Sequence, residues 1–185
     1  MNESLFAPIY GLAHQSASFD QVIIFCAVWL PWLVGALAII IALVLASRDQ
    51  SSHPVDGGAR RASFIISVPV IAWLVAHVIK IILAWPRPAL VLDTVQPLFS
   101  ADGAAFPSGH ATLFFALGFA LYPFHQRLAT FVSMTAVVIS LARVAAGVHF
   151  PGDILGGFLL AGLVTFISWT IVKNHFPTIC GRERV

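Results

Sequence analysis

Charge is what this sequence most lacks. Only 10% of its 185 residues are Asp, Glu, Lys or Arg, against roughly 25% in an average soluble domain. Hydrophobic residues make up 59%, and the mean hydropathy is +0.92. A chain so apolar cannot cover itself with polar surface, so lipid must solvate it. Cysteine is nearly absent. Cys26 and Cys180 are the only two, which excludes a disulfide framework, and both are read as packing residues. A net charge of +2, with no basic run and no interleaved aromatics, excludes a nucleic-acid partner. The start of the chain has neither the basic residues nor the short apolar core of a cleavable signal peptide. No apolar segment alternates polar with apolar residues, so membrane strands are not expected.

Long apolar runs are there instead. A membrane helix needs about 20 mostly apolar residues at about 1.5 Å each. Residues 21–46, 62–85, 109–124, 128–148 and 153–172 form five such runs, the third of them short. Backbone amides in lipid must be bonded within their own segment, so these runs should be helices. The expected fold is all-α: a polytopic membrane helix bundle of about five transmembrane helices, in one domain over residues 1–185. Pro86, Pro88, Pro97 and Pro107 break any helix in the longest connection. Ahead of the first run, Leu5, Phe6, Ile9, Tyr10, Leu12 and Ala13 share one side of a helical wheel. They predict a short helix lying in the membrane interface.

The basic residues orient the bundle. With five spans, one side receives Arg48, Arg60, Arg61, Arg127, Lys173, Arg182 and Arg184, and the other only Lys80, Arg87 and Arg143. The richer side should be cytoplasmic. Cys26 and Cys180 then lie toward opposite sides.

The three outer cations have a chemical reason for their place. Lys80 ends the second span and Arg87-Pro88 follows it; Pro107-Ser108-Gly109-His110 opens the third; Arg143, His149 and Asp153 join the fourth to the fifth. Up-down threading brings all of these to one membrane depth. Two arginines and a lysine supply planar forks and a point charge for phosphoryl oxygens. Ser108 and the backbone at a helix start add donors for an anion, and Gly109 lets that backbone approach closely. Of two histidines, one can attack phosphorus and the other can protonate the leaving oxygen. An attacking imidazole needs an acceptor for its other N–H. Asp153, four residues after His149, can serve, which leaves His110 as the acid. No grouping of Asp, Glu and His offers an open metal site beyond these histidines, and no cofactor is expected.

These clusters resemble the three-part signature of the type 2 phosphatidic acid phosphatase superfamily: Lys-x6-Arg-Pro, Pro-Ser-Gly-His and Ser-Arg-x5-His-x3-Asp. Lys80, Arg87, Pro88, Pro107, Ser108, Gly109, His110, Arg143, His149 and Asp153 match in order and spacing over residues 80–153. Ala142 stands where a serine is usual. The resemblance implies a phosphohistidine on His149, protonation of the leaving group by His110, and no metal requirement. The N-terminal stretch is similar to bacterial undecaprenyl-diphosphate phosphatases of the bacitracin-resistance type, which often carry Asp where Gly109 stands. The expected substrate is therefore a lipid phosphate or diphosphate, with undecaprenyl diphosphate favoured and located at the outer face of a bacterial plasma membrane. Phosphatidylglycerophosphate, phosphatidate and lipid A 1-phosphate compete. A non-catalytic lipid-phosphate binder or flippase would need the cations but not both histidines and Asp153.

Other polar residues read more plainly. His77, three residues before Lys80 on one helix face, is read as a packed, hydrogen-bonded histidine, with support of the site as its second reading. Asp93 and Asp102 are read as solvated loop carboxylates. His14, His53, His125 and His175 have no partner visible in sequence. Trp85 suits an interfacial anchor. Gly156, Gly157, Ala161 and Gly162 give the last span a small-residue packing face. The metal-free reading has a direct check: EDTA should leave phosphate release nearly intact. Complete loss on chelation, restored by a divalent ion, would contradict it.

Overall fold

The computed structural model describes residues 2–48 and 57–175; His53, Cys180, Arg182 and Arg184 lie outside them. Among the described residues every regular element is helical. The order is α1 (Asn2–Tyr10), α2 (Ala17–Ile24), a π-helical turn (Phe25–Trp29), α3 (Leu30–Arg48), α4 (Gly57–Leu83), α5 (Pro88–Val91), α6 (Gly109–Leu121), α7 (Gln126–Ala145) and α8 (Pro151–His175). Four stretches are long and apolar enough to cross a membrane: Ala17–Ile41, Arg60–Val91, Gln126–Ala145 and Pro151–Asn174. Large apolar side chains face outward on them, among them Trp32, Phe131 and Phe166, as a lipid-solvated surface requires.

The third expected span is the exception that organises the rest. α6 has 13 residues, about 20 Å at 1.5 Å per residue, which falls short of a hydrocarbon core of about 30 Å. It need not match the lipid because it barely touches it. Ten of its 13 residues are buried, surrounded by α4, α7 and α8. Phe114, Phe115, Leu117 and Leu121 pack there against Ile65, Val132 and Ile139. Small residues bring the neighbours close. A Cβ on Gly157 of α8 would stand 2.9 Å from the Ser108 carbonyl oxygen and 3.0 Å from Thr112 Oγ1, and Gly156 abuts the Phe106 ring. The small-residue face of α8 is thus a packing face at Gly156, Gly157 and the buried Ala161.

Three expectations need correction. First, the six apolar residues of the N-terminal segment, where a short helix does form, do not share one environment. Phe6 is buried, and its ring meets Phe150 at 5.3 Å, while Leu5 and Leu12 stay exposed; the helix docks on the bundle and divides its face. Second, the proline-rich connection does hold a helix. Pro88 takes the first position of α5, with Arg87 as its N-cap, where the missing N–H costs nothing. Third, His14 has partners. Its backbone N–H donates to Asp20 Oδ1 at 2.8 Å, and Nε2 meets the Gln96 carbonyl at 2.9 Å. The Tyr10 hydroxyl donates to that same carbonyl at 3.1 Å and accepts from the Gln96 N–H at 2.8 Å. The N-terminal segment therefore pins the long loop between α5 and α6.

Candidate active site

Each site residue sits where an element ends, and local rules place it. α7 closes in a Schellman motif: the Val148 N–H donates to the Arg143 carbonyl at 3.2 Å and the Gly147 N–H to the Val144 carbonyl at 3.0 Å. That motif needs a left-handed residue, and Gly147 supplies it at φ +76°. The turn leaves Arg143 on the last turn of α7 and carries His149 back over the bundle. Asp153 lies in the first turn of α8. Its Oδ2 accepts from the Phe150 N–H at 2.8 Å, half of a capping box, and its carbonyl accepts from Ser108 N–H at 2.9 Å. One residue thus joins the starts of α6 and α8.

His149 is the centre. It is fully buried, 1% exposed, and its Nδ1 lies 3.2 Å from Asp153 Oδ2. The carboxylate selects the tautomer with the proton on Nδ1, so Nε2 carries the ring's lone pair. Burial, and then the fields of Arg143, Arg87 and Lys80, hold its pKa well below the ordinary 6.5. The imidazole is therefore neutral at physiological pH, which is the form that can attack.

The three cations are held chiefly by backbone carbonyls. Lys80 Nζ donates to Ala104 O at 2.6 Å and Ala105 O at 3.1 Å. Arg87 donates from Nε to Gly103 O (3.0 Å), from NH1 to Val148 O (2.7 Å) and from NH2 to Asp102 O (2.8 Å). Its NH1 also lies 3.4 Å from His149 Nε2. Four of the five guanidinium N–H groups of Arg87 are thus engaged. Arg143 differs. Among the described residues its one side-chain hydrogen bond is from NH1 to Ala27 O at 3.1 Å, its buried Nε has no partner, and its Cζ lies 5.7 Å from the centroid of Phe99. Arg143 is the freer fork, Arg87 the staple of the loop.

A cleft of about 690 Å³ is lined by Lys80, Arg87, Gly109, His110, Arg143 and His149. The structure therefore brings six of the eight expected residues to one cleft, with Asp153 behind His149. Ser108 is placed otherwise than expected. It is fully buried, and its Oγ caps α6, with the Ala111 N–H at 3.5 Å. The short sequence Pro-Ser-Gly-His explains both roles: a serine N-cap starts a helix, and the helix start carries a positive partial charge toward the cleft. Ala142 packs in an apolar cluster with Ala13, Ile23 and Ala27.

Several contributors carry no residue-type signal. The Ala27 carbonyl comes from the π-helical turn, a feature that recurs at functional sites. The loop carbonyls of residues 102–105 belong to no motif. One wall is apolar: Val28, Trp32, Trp73 and Ile81 line it, and Trp32 and Ile81 are 75% and 81% exposed. His77, read mainly as a packing residue, is hydrogen-bonded to the Trp73 carbonyl at 3.1 Å and also lines the cleft. The exposed Asp93 stays outside it, whereas Asp102 lies on its rim.

Comparison with known proteins fits this geometry. A family model described as the PAP2 superfamily matches residues 61–177, more than half of the chain. Bacitracin transport permease protein BcrC of Bacillus licheniformis is 25% identical over 95% of this chain and 83% of its own. Undecaprenyl-diphosphatase BcrC of Bacillus subtilis is 27% identical over 90% of this chain and 82% of its own. The crystal structure of Aquifex aeolicus LpxE superposes with a TM-score of 0.69 at 22% identity, covering 91% of this chain and 94% of that one; it shares the fold.

The unequal hydrogen bonding of the arginines predicts unequal variants. Arg143→Lys keeps the charge and loses the fork, so kcat/KM for phosphate release should fall about 10²-fold or more with little change in the thermal midpoint. Arg87→Lys should lower both. Phosphate release and thermal unfolding of the detergent-solubilised protein check this, and equal losses of midpoint would contradict it.

Proposed function

On the premise that this chain belongs to the PAP2 superfamily and is a multi-pass membrane phosphatase, we propose that it hydrolyses undecaprenyl diphosphate through a phosphohistidine on His149. Nε2 of His149 attacks the terminal phosphorus, and the bond to the bridging oxygen breaks. With the substrate's anionic phosphates in place to offset the three cations, His110 carries a proton and gives it to that oxygen, and the lipid monophosphate leaves. A water then attacks the phosphohistidine, His110 takes the water's proton, and orthophosphate is released. Asp153 holds the Nδ1–H throughout and stabilises the charge that grows on the ring. Lys80, Arg87 and Arg143 meet the nonbridging oxygens, and the start of α6 at Gly109 adds its dipole.

The observation that carries this reading is the state of His149: neutral, oriented by Asp153 at 3.2 Å, and enclosed by the fields of three cations. A binder of lipid phosphate gains nothing from that arrangement. The word permease in the name of the Bacillus licheniformis relative is the comparison that favours the carrier reading, and the His149–Asp153 pair is what weighs against it. The apolar wall of Val28, Trp32, Trp73 and Ile81 supports a lipid substrate whose chain leaves sideways. The name of the Bacillus subtilis relative supports the prenyl diphosphate.

Charge supports a location. Arg60 and Arg61 near the start of α4, Arg127 at the start of α7 and Lys173 near the end of α8 lie at the end of the bundle opposite the cleft. That supports a cleft on the outer face of a bacterial plasma membrane.

The test is phosphate release by purified protein from undecaprenyl diphosphate, phosphatidylglycerophosphate, phosphatidate and lipid A. The prenyl diphosphate should give the highest kcat/KM, and His149→Ala should lose at least about 10³-fold while still folding. Substantial turnover by that variant would remove His149 from the nucleophile's role, and a higher kcat/KM on a glycerolipid would replace the substrate.

A further inference from the structure

The cleft wall beside His110 carries two polar groups that this mechanism leaves unused. His77 lies one turn before Lys80 on α4. Its Nδ1 meets the Trp73 carbonyl at 3.1 Å, so that nitrogen donates and fixes the ring. Nε2 is then an acceptor, or a second donor once protonated. The Trp73 ring lies against it, centroids 3.9 Å apart. Both rings reach the start of α6. A Cβ on Gly109 would stand 3.5 Å from Trp73 Nε1 and 3.9 Å from His77 Cε1. Without a side chain, Gly109 lets both rings come close to the helix start, and all three residues line the cleft with His110.

We propose that His77 and Trp73 form the subsite for the second phosphate of a diphosphate substrate, the one that is not transferred. The inference rests on the phosphohistidine reading and deepens it. With the transferred phosphate held at His149 and the bridging oxygen at His110, the remaining phosphate lies one bond farther on, against the Gly109 end of α6. The groups waiting there from α4 are the indole N–H of Trp73, the imidazole of His77 and, one turn on, the ammonium of Lys80. A phosphate at this place accepts from the indole N–H, and the imidazolium form of His77 has an Nε2–H to give it as well. The wall continues outward as apolar surface, with Ile81 81% exposed and the outer part of Trp73 also accessible, so the prenyl chain attached to that phosphate has a path into lipid. A monophosphate ester puts only an alcohol oxygen and carbon at this position. It has nothing there for the two donors to hold.

The test is a ratio. Wild type, His77→Ala and Trp73→Phe, which keeps the ring and removes only the N–H, are assayed on farnesyl diphosphate and farnesyl monophosphate. The ratio of kcat/KM for diphosphate over monophosphate should fall about tenfold in each variant, mostly through KM. An unchanged ratio, including equal proportional losses on both probes, would overturn the subsite. If wild type turns over neither probe, or His149→Ala retains turnover, the phosphohistidine reading is what fails. The subsite is then judged by binding. Pyrophosphate should bind wild type more tightly than orthophosphate, with that preference lost in both variants; equal affinities in wild type would overturn it.

Discussion

Gathering three cations around one neutral imidazole at the edge of a membrane is the constraint on which the rest of this structure depends. Lys80, Arg87 and Arg143 repel one another, and all three disfavour a proton on His149. One buried carboxylate, Asp153, stands against them. Carbonyl dipoles supply the rest of the compensation: residues 102–105 and 148 for Lys80 and Arg87, residue 27 for Arg143. Carbonyls stabilise a cation without cancelling its charge. The site therefore keeps an excess of positive charge suited to a phosphate dianion, and that same excess keeps the His149 imidazole unprotonated.

The fold serves this arrangement. α6 is too short to span lipid alone, and it is enclosed by α4, α7 and α8. Its N-terminus thereby comes to lie level with the ends of α4 and α7 and the start of α8. The loop between α5 and α6 is anchored on several sides: to Tyr10 and His14 through Gln96, to α7 through Leu98 N–H and Ala146 O at 3.1 Å, and to α8 through Ser108 and Asp153. Rigid anchoring matters because the loop's carbonyls are what hold Lys80 and Arg87 in place. Arg87 is at once a site cation and a structural clamp, so charge and loop position are coupled in a single side chain.

Much of this was legible in the residues themselves. Lys80, Arg87, His110, Arg143, His149 and Asp153 are chemistry-bearing side chains in a polar-poor sequence, and up-down threading alone brings them to one depth. The apolar runs predicted the helices because lipid permits little else. What was not legible is backbone. A carbonyl that accepts from an arginine has no residue type, so neither the π-helical turn at Phe25–Trp29 nor the cage of residues 102–105 had a signal. Ser108 was assigned to the anion because its hydroxyl can bind one; the helix start claims it first. The burial of Phe6 had no signal either, because a helical wheel cannot show that a bundle stands beside the N-terminal helix.

The central claim is that Nε2 of His149 takes the phosphoryl group. The most direct measurement is a rapid quench with substrate labelled in its terminal phosphate, followed by peptide mapping under alkaline conditions that preserve phosphohistidine. The account predicts a transient, acid-labile phosphoryl group on the peptide that contains His149, lost when the reaction runs to completion. Label on His110 or on any other residue, or full turnover with no protein-bound phosphate at any time, would contradict it.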